Sequence, residues 1–261
     1  MKQVLKRVSA RIIPDRLKGF LHRVSFSTMS DAQKDFVCFQ SEKASLEASL
    51  RQLRSLGFQP KTILDVGAFQ GAWTQAVKKI FPAAKVLMVE AQAAKSVFLE
   101  RVAGLYPGEV QYEITLLGPA HQENVAFYEL ETGSSVLPEQ SSVSREVGYY
   151  TMRPLDEVAS EWVEGKVDFV KLDVQGFELE ILRGGTNTLR EADVVLLEVA
   201  LLGINQGAPL VDEVLGFMRQ HSFVTYDICS FIRRPLDNAL WQSDFLFVKE
   251  DSAFRQRQSF D

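Results

Sequence analysis

A regular alternation of short apolar runs with segments of helical periodicity constrains the fold most. It begins with the run at residues 61–66 and continues to the run at 245–248. Short apolar runs bounded by turn residues predict buried strands, and apolar residues at every third or fourth position predict amphipathic helices. Strands that alternate with helices are joined by right-handed crossovers. We therefore expect an α/β fold with a mostly parallel, doubly wound, Rossmann-like sheet.

Strands and helices are assigned from this pattern along the whole chain. The predicted strands are 61–66, 85–90, 110–117, 124–130, 167–173, 194–199, 223–228 and 245–248. The predicted helices are a segment from Ser41 to a stop at Gly57, and residues 72–81, 93–105, 178–189 and 209–220. The serine-rich segment 133–144 is expected to be a loop, because serine and glycine favour turns.

The distribution of charge divides the chain into a basic start and an acidic remainder. Residues 1–26 hold seven lysines and arginines against one aspartate, a charge of +6, which leaves −11 for the rest of a chain whose total is −5. An acidic body argues against nucleic acid as a partner, because that affinity depends on neutralising phosphates. We expect a basic extension over residues 1–40 and a single domain over 41–261.

The basic segment also carries apolar residues, and two interpretations of it are open. It could lie on an anionic membrane surface or a partner as a peripheral contact. Alternatively, it is a solvated extension that packs one face on the domain. No run approaches the roughly 20 apolar residues that a spanning helix needs. The two cysteines, Cys38 and Cys229, have no neighbours at metal-ligand spacing, so we expect no zinc site and a reducing, cytoplasmic environment.

The turn after the first predicted strand, residues 65–71, has the sequence DVGAFQG. A dinucleotide needs glycine where the backbone meets the pyrophosphate, but Phe69 and Gln70 stand near that contact. The Asp65 carboxylate would repel a pyrophosphate and tolerate the positive sulfonium and ammonium groups of S-adenosylmethionine. We therefore predict S-adenosylmethionine as the cofactor. The turn residues predicted to bind it are Asp65, Gly67, Ala68, Phe69 and Gly71.

Glu90 ends the second predicted strand, 25 residues after Asp65. An acid at this position can accept hydrogen bonds from both hydroxyls of a ribose. We predict that role for Glu90, with Ala91 beside it in the cofactor site. The alternative is a surface glutamate at a strand end, but the preceding run KVLMV has the character of a buried strand.

A second group of polar residues stands in the segment VDFVKLDVQGFE, residues 167–178. Asp173, Gln175 and Glu178 follow the carboxyl end of a predicted strand, on the same rim as the first turn. Lys171 lies inside the strand, where an unpaired ammonium is costly, so we expect it to reach an acid or an edge. Glu178 also suits the N-terminus of the next helix, so a purely structural role is an equal alternative.

Several segments resemble successive motifs of the FkbM family of methyltransferases. They are ILDVGAFQGAW, the acid in VLMVEAQ, GSSV at 133–136, PLDEV at 154–158, VDFVKLDVQGFELEILRGG and LLEVA at 196–200. The resemblance spans roughly residues 60–250 and is most specific in the D-V-Q-G-x-E stretch. It implies a class I methyltransferase fold, S-adenosylmethionine as donor, and hydroxyl groups of sugars or secondary metabolites as acceptors.

The chain departs from the family's pattern at two positions of the cofactor region. The family's second strand commonly ends in Glu-Pro, whereas this chain has Glu90 and Ala91. The family's first turn often carries Asn where this chain has Phe69. We expect both changes to alter the shape of the cofactor pocket more than the reaction. The N-terminal 40 residues lie outside the resemblance.

Methyl transfer to a hydroxyl oxygen requires removal of the acceptor's proton. We predict Asp173 as the base, because α/β enzymes place reactive groups at the carboxyl ends of strands. Glu178 and Glu198 are the alternatives, and Lys171 is predicted to orient the base. A divalent metal on Asp173 and Glu198 is a hypothesis that no ligand spacing supports, so no metal site is predicted. The residues predicted to bind the acceptor are Gln175, Ser134, Ser135 and Glu198; the two serines could equally form a turn.

Two other functions stay open from the sequence. A nicotinamide-dependent oxidoreductase would share this fold, because a fold does not fix a function. A non-catalytic scaffold protein would also keep the fold, with the basic extension docking it to a membrane or a complex. Binding of NADH without binding of S-adenosylhomocysteine would separate the first alternative from a methyltransferase.

Overall fold

The computed structural model of the chain describes residues 45–140 and 144–256. The predicted extension over residues 1–40, the predicted start of the first helix at Ser41, and Cys38 lie outside the described residues. Cys229 is a buried free thiol. None of the helices in the two described ranges has both the length and the apolar character needed to cross a bilayer.

Seven α-helices, three short 3₁₀ helices and eleven strands occur in the described ranges. The helices are α1 (Leu46–Ser55), α2 (Ala72–Ile80), α3 (Ser96–Leu105), α4 (Leu155–Trp162), α5 (Glu178–Arg183), α6 (Thr186–Glu191) and α7 (Val211–Gln220). The strands are β1 (Thr62–Val66), β2 (Lys85–Glu90), β3 (Val110–Ile114), β4 (Leu116–Gly118), β5 (Gln122–Glu129), β6 (Glu146–Pro154), β7 (Phe169–Leu172), β8 (Val194–Ala200), β9 (Phe223–Ile228), β10 (Ile232–Arg233) and β11 (Leu240–Lys249).

The main sheet has the order β10-β11-β8-β7-β1-β2-β3, and β9 also pairs with β11. Strands β3, β2, β1, β7 and β8 run parallel to one another, whereas β11 is antiparallel to β8. The order reverses between β1 and β7, since β2 and β3 extend to one side of β1 and the later strands to the other. In open α/β sheets the crevice at such a reversal is where ligands bind.

Helices cover both faces of the main sheet because alternate strand residues point to opposite faces. On one face Leu64 and Val66 join a core completed by apolar residues of α4, α5, α6 and α7. On the other face Ile63 joins a core with α1, α2 and α3. Both cores are buried, which explains why the parallel strands are apolar on both faces. The predicted α/β, doubly wound architecture is confirmed.

A second, three-stranded sheet with the order β4-β6-β5 corrects the prediction for residues 110–117. That run was expected to be one strand, but it divides at Thr115 into β3 of the main sheet and β4 of the second sheet. Strand β6 and helix α4 were not predicted. The β6 segment is exposed at alternate positions and carries few aliphatic residues, so its apolar signal is weak.

The predicted helix 178–189 is two helices, α5 and α6, separated by Gly184 and Gly185. A Cβ atom on Gly184 would lie 2.0 Å from the carbonyl oxygen of Gly118. The break therefore lets the backbone approach the end of β4 closely, which only glycine permits. The second sheet thereby packs directly against the segment that follows β7.

Candidate active site

A cavity of about 260 Å³ lies at the carboxyl ends of β1, β2 and β7, at the reversal of strand order. Its walls are largely apolar and include Phe127 and Leu116 of the second sheet and Phe177 after β7. Such a cavity with a few polar groups is the usual form of a small-molecule site. The predicted site residues that line it are Gly67, Ala68, Phe69, Glu90, Ala91, Ser134, Lys171 and Asp173. Those that do not are Asp65, Gly71, Ser135, Gln175, Glu178 and Glu198.

The first turn is shaped by glycines with left-handed backbone conformations. Gly67 has φ = +72°, and a Cβ atom there would lie 1.9 Å from the carbonyl oxygen of Asp173. Gly71, at the start of α2, has φ = +74°, and its Cβ would lie 2.9 Å from a methyl group of Val102. Gly67 thus brings the ends of β1 and β7 together, whereas Gly71 lets α2 approach α3.

Asp65 is fully buried and is paired with Lys171 inside the protein. Lys171 Nζ lies 3.0 Å from Asp65 Oδ1 and donates to the carbonyl oxygens of Val66, at 3.2 Å, and Gly67, at 2.9 Å. Asp65 Oδ2 accepts a hydrogen bond from the Thr74 hydroxyl at 2.7 Å. Because its charge is matched by Lys171 and it does not reach the cavity, Asp65 supports the turn. The Asp65 carboxylate faces Lys171 and not the cavity, so it is not placed for the direct contact with the donor that the sequence predicted.

Lys171 is held in its protonated form by its neighbours. Burial acts to lower the pKa of Lys171, but the nearby carboxylates of Asp65 and Asp173 outweigh burial, and the net pKa lies above the ordinary value. The expectation that this ammonium reaches an acid is confirmed by the ion pair with Asp65. A protonated lysine has no lone pair to accept a proton, so in this form Lys171 can orient groups but not act as a base.

Glu90 is buried at the end of β2 and lines the cavity. Its Oε2 accepts a hydrogen bond from the Phe69 amide at 2.8 Å, and its Oε1 accepts one from the Gln92 amide at 2.9 Å. These bonds fix the carboxylate between the first turn and the segment after β2. Each carboxylate oxygen accepts two hydrogen bonds, so both oxygens retain capacity for hydroxyl groups of a ligand.

Ser134 and Ser135, predicted to bind the acceptor, have hydroxyls occupied by the backbone. Ser134 Oγ accepts from the Leu130 amide at 2.7 Å and donates to the Glu131 carbonyl at 3.1 Å. Ser135 Oγ donates to the Gln175 carbonyl at 3.0 Å and accepts from the Leu137 amide at 3.1 Å. These contacts favour the alternative interpretation, in which both serines build the loop.

Asp173 follows β7, and its side chain is 43% exposed, so a bound molecule can reach it. Its Oδ1 accepts a hydrogen bond from Gln175 Nε2 at 3.2 Å, and its Oδ2 lies 3.9 Å from Lys171 Nζ. Gln175 Nε2 also donates to Glu198 Oε2 at 2.5 Å. Burial raises the pKa of Glu198 well above its ordinary value, and the carboxylates of Asp173 and Glu178 raise it further.

Glu178 is the first residue of α5 and is buried away from the cavity. Its Oε1 accepts hydrogen bonds from the amides of Val174, at 3.0 Å, and Gly176, at 3.1 Å. Burial raises the pKa of Glu178 to about 7, although the backbone hydrogen bonds oppose this change. These contacts favour a structural role for Glu178, which we gave as an equal alternative to catalysis.

Sequence reasoning missed a group of side chains that close one side of the cavity. Lys95 Nζ lies 2.8 Å from Glu131 Oε2 and 4.4 Å from the centre of the Phe69 ring. Gln92 Nε2 donates to the Glu131 carbonyl at 3.2 Å. Gln92 and Glu131 follow β2 and β5 in segments that no motif marks, and Lys95 lies within the predicted helix 93–105, whose pattern does not indicate a site. The segments after β2 and β5 meet the first turn at the cavity, and only this arrangement in space brings the side chains together.

Within residues 45–140 and 144–256, no cluster of three or more histidine, cysteine, aspartate or glutamate side chains has a geometry that could hold a metal ion. Asp173 and Glu198 are bridged by the Gln175 amide. The described residues therefore give no support to the hypothesis of a divalent metal on these two carboxylates.

Substituting Gly67 tests the close approach of β1 and β7. We expect G67A to lower the free energy of unfolding by more than about 3 kcal/mol, because its Cβ must displace the Asp173 carbonyl. G108A is the matched control: φ is +77° there, but nothing lies within 4 Å of the new Cβ. We expect G108A to cost roughly 1–2 kcal/mol from the backbone conformation alone. Equal losses of unfolding free energy in G67A and G108A, measured by equilibrium urea unfolding, would contradict the close contact at Gly67.

Protonation of Glu178 should make stability depend on pH. Its folded pKa, about 7, exceeds the ordinary value of 4.5, so its stabilising contribution is complete below pH 4.5 and is lost as the pH rises through 7. We expect this contribution to be roughly 3 kcal/mol. E178Q, neutral at every pH, should flatten the fall in unfolding free energy between pH 5 and pH 8. E180Q is the control on the same helix, with a side chain 41% exposed; an equal flattening by E180Q would refute the assignment.

Three solved methyltransferase structures are similar to this chain at low identity. The methyltransferase FkbM from Methylobacillus flagellatus is 14% identical with a TM-score of 0.45, over 71% of this chain and 43% of that one. Magnesium protoporphyrin IX methyltransferase from Synechocystis, solved with bound S-adenosylmethionine, is 13% identical with a TM-score of 0.48, over 85% of each chain. Precorrin-6y C5,15-methyltransferase from Geobacter metallireducens is 11% identical with a TM-score of 0.45, over 79% of this chain and 90% of that one.

The chain spans less than half the length of the solved FkbM methyltransferase, 43% of it. No curated protein matches the sequence at a significant level.

The family model described as the methyltransferase FkbM domain matches residues 65–225, which is more than half of the chain. The match begins at Asp65, at the end of β1, and ends within β9. It includes the end of β1, the whole of β2 and β7, and therefore the residues around the cavity. The predicted resemblance is confirmed: the chain belongs to the FkbM family of S-adenosylmethionine-dependent methyltransferases, with the Rossmann-like class I fold.

Proposed function

We propose that the protein transfers the methyl group of S-adenosylmethionine to a hydroxyl oxygen of a small-molecule or glycan acceptor. The observation that carries this proposal is a single cavity lined by both Glu90 and Asp173. One carboxylate is suited to bind a nucleoside, and the other, 43% exposed, is suited to take a proton. A donor and an acceptor bound in such a cavity would meet between these two groups.

The donor half of the proposal depends on Glu90 and the first turn. Glu90 is fixed by the amides of Phe69 and Gln92, and its oxygens retain capacity to accept the ribose hydroxyls. The Gly67 backbone lines the cavity, and the absence of a Cβ there leaves room for the Asp173 carbonyl, which keeps the turn next to the end of β7. Ala91 and Leu116 supply apolar surface for the adenine ring.

The acceptor half depends on Asp173. In the transfer, the bond between sulfur and the methyl carbon breaks as the bond between the acceptor oxygen and that carbon forms. The hydroxyl proton passes to the Asp173 carboxylate, and S-adenosylhomocysteine leaves. Holding the reactants in line contributes roughly 7–11 kcal/mol, and a positioned base adds about 10²- to 10⁴-fold in rate. Lys171, a cation beside Asp173, would orient the carboxylate.

Glu198 and Glu178 are weaker candidates for the base. Neither lines the cavity, and Glu178 is committed to two backbone amides. Glu198 has a raised pKa because it is desolvated and lies near other carboxylates, so it holds its proton at a pH where a free glutamate would be ionised. These features favour Asp173 as the group that accepts the proton.

The test of this proposal is D173N. S-adenosylhomocysteine should bind D173N and the wild type with similar affinity by calorimetry, whereas methyl transfer should fall by about 10²- to 10⁴-fold. Transfer is measured as incorporation of tritiated methyl groups into a panel of glycans and other hydroxyl compounds. D212N, at the exposed start of α7, is the control and should remain active.

Different results would contradict the base assignment and the donor assignment. Full activity of D173N would remove the base assignment and leave the donor assignment in place. A folded wild-type protein that binds NADH but not S-adenosylhomocysteine would support the oxidoreductase alternative. Binding of S-adenosylhomocysteine without transfer to any hydroxyl compound would favour the non-catalytic alternative.

We further propose a cytoplasmic protein that contacts an anionic membrane through residues 1–26 and has no nucleic acid partner. The charge of +6 on this segment supports the membrane contact, and the charge of −11 on the remainder supports the absence of a nucleic acid partner. Replacing the seven cations with glutamine should abolish cosedimentation with vesicles that contain anionic phosphatidylglycerol. Neutral phosphatidylcholine vesicles are the control. Unchanged binding to the anionic vesicles would refute the membrane contact.

A further inference from the structure

Gln175 has a backbone conformation that requires support from its surroundings. Its φ of +56° is in the left-handed region, which is unfavourable for a residue with a side chain and persists only when the surroundings impose it. Two loops impose it here, because the Gln175 carbonyl accepts hydrogen bonds from Ser135 Oγ at 3.0 Å and from Asn205 Nδ2 at 2.5 Å. These two hydrogen bonds hold the backbone of Gln175, and the held backbone determines the direction in which its side chain leaves.

The side-chain amide of Gln175 bridges two carboxylates. Nε2 donates to Asp173 Oδ1 at 3.2 Å and to Glu198 Oε2 at 2.5 Å. A primary amide has two hydrogens, so these two bonds use its full donor capacity. Gln242 Nε2, from β11, gives Glu198 Oε2 a second donor at 2.9 Å. Asp173 is thereby tied to β8 and β11, although it belongs to the end of β7.

Asp173 interacts electrostatically with three acidic groups, so the Gln175 amide also affects the charge balance around the base. Glu198 and Asp244 are direct partners in the pairing of β8 with β11, and Asp173 raises the pKa of both. The single ammonium among these groups is shared, because Lys171 also pairs with Asp65. The charged groups that face Asp173, by element, are Lys171 on β7, Glu178 on α5, Glu198 on β8 and Asp244 on β11.

We infer that Gln175 is a positioning residue, whose amide holds Asp173 Oδ1 against Glu198 and leaves Asp173 Oδ2 to receive the acceptor's proton. This inference rests on the proposed function, which gives Asp173 the role of the base. Gln175 and Glu198 were predicted from the sequence to bind the acceptor, and the structure places neither in the cavity lining. Asp173 Oδ2 lies 3.9 Å from Lys171 Nζ.

The test uses Q175G, which removes the amide and relieves the backbone strain, because glycine adopts positive φ freely. The matched control is N124G, at an exposed residue with φ = +55°. Both variants should bind S-adenosylhomocysteine like the wild type. With an acceptor found in the tritium screen, Q175G should lose about tenfold or more in kcat, whereas KM for S-adenosylmethionine should not change. N124G should keep the wild-type kcat.

A charge substitution at Gln175 tests its effect on the base through the pH profile of kcat/KM, which a purely structural role would leave unchanged. Q175E places a further carboxylate beside the base and removes both donor hydrogens, so it disfavours the charged form of the base. The acid limb of the pH profile of kcat/KM should move to higher pH in Q175E. A limb at the wild-type pH, or an unchanged kcat in Q175G, would overturn the inference.

A measurement on the protein alone needs no acceptor. Carbon-13 NMR of labelled glutamate carboxyls, assigned with E198Q, follows the titration of Glu198 in the full chain. Loss of the Gln175 donor should raise the pKa of Glu198 in Q175G by on the order of half to one unit. An identical titration in Q175G and the wild type would overturn the bridge. Full activity of D173N would instead count against the proposed function, so the two failures are distinguishable.

Discussion

The ion pair between Asp65 and Lys171 is the constraint on which the site depends. The two residues are direct partners in the pairing of β1 with β7, and both are buried, Asp65 completely. A slip of one residue in that pairing would place the two charges on opposite faces of the sheet and separate them in a low-dielectric core. A buried pair of this kind adds little net stability, but it specifies the register. The register in turn determines where Gly67 and Asp173 meet.

The same lysine connects the fold to the chemistry. Its ammonium binds the carbonyl oxygens of Val66 and Gly67, so it closes the turn that borders the cavity. It also stands beside Asp173, which leaves the sheet two residues later. One side chain therefore sets the position of the donor turn and of the acid on the other wall. That sharing explains how an ammonium can occur in a strand whose other residues are apolar.

Much of the main sheet could be predicted from the sequence because its strands are buried on both faces. The bounds of β2 and β9 were predicted as observed, and those of β1, β8 and α2 within one residue. The second sheet was less accessible, because β6 alternates exposed positions and Thr115 divides a continuous apolar run between two sheets. The division of this run between two sheets depends on contacts with residues distant in the chain, which the local sequence pattern does not reveal.

For the site, the sequence placed Glu90 and Asp173 on one rim, since both follow parallel strands. It could not show that Asp65 faces Lys171 instead of the cavity, or that the Ser135 hydroxyl serves the backbone of Gln175. Those facts depend on side-chain direction and on loops that meet from distant parts of the chain. The small sheet supplies Leu116 and Phe127 to the cavity and has its own apolar cluster with Val125 and Met152. One wall of the cavity therefore belongs to the second sheet, which has its own small core. The shape of that wall can change among relatives while the parallel strands of the main sheet stay the same.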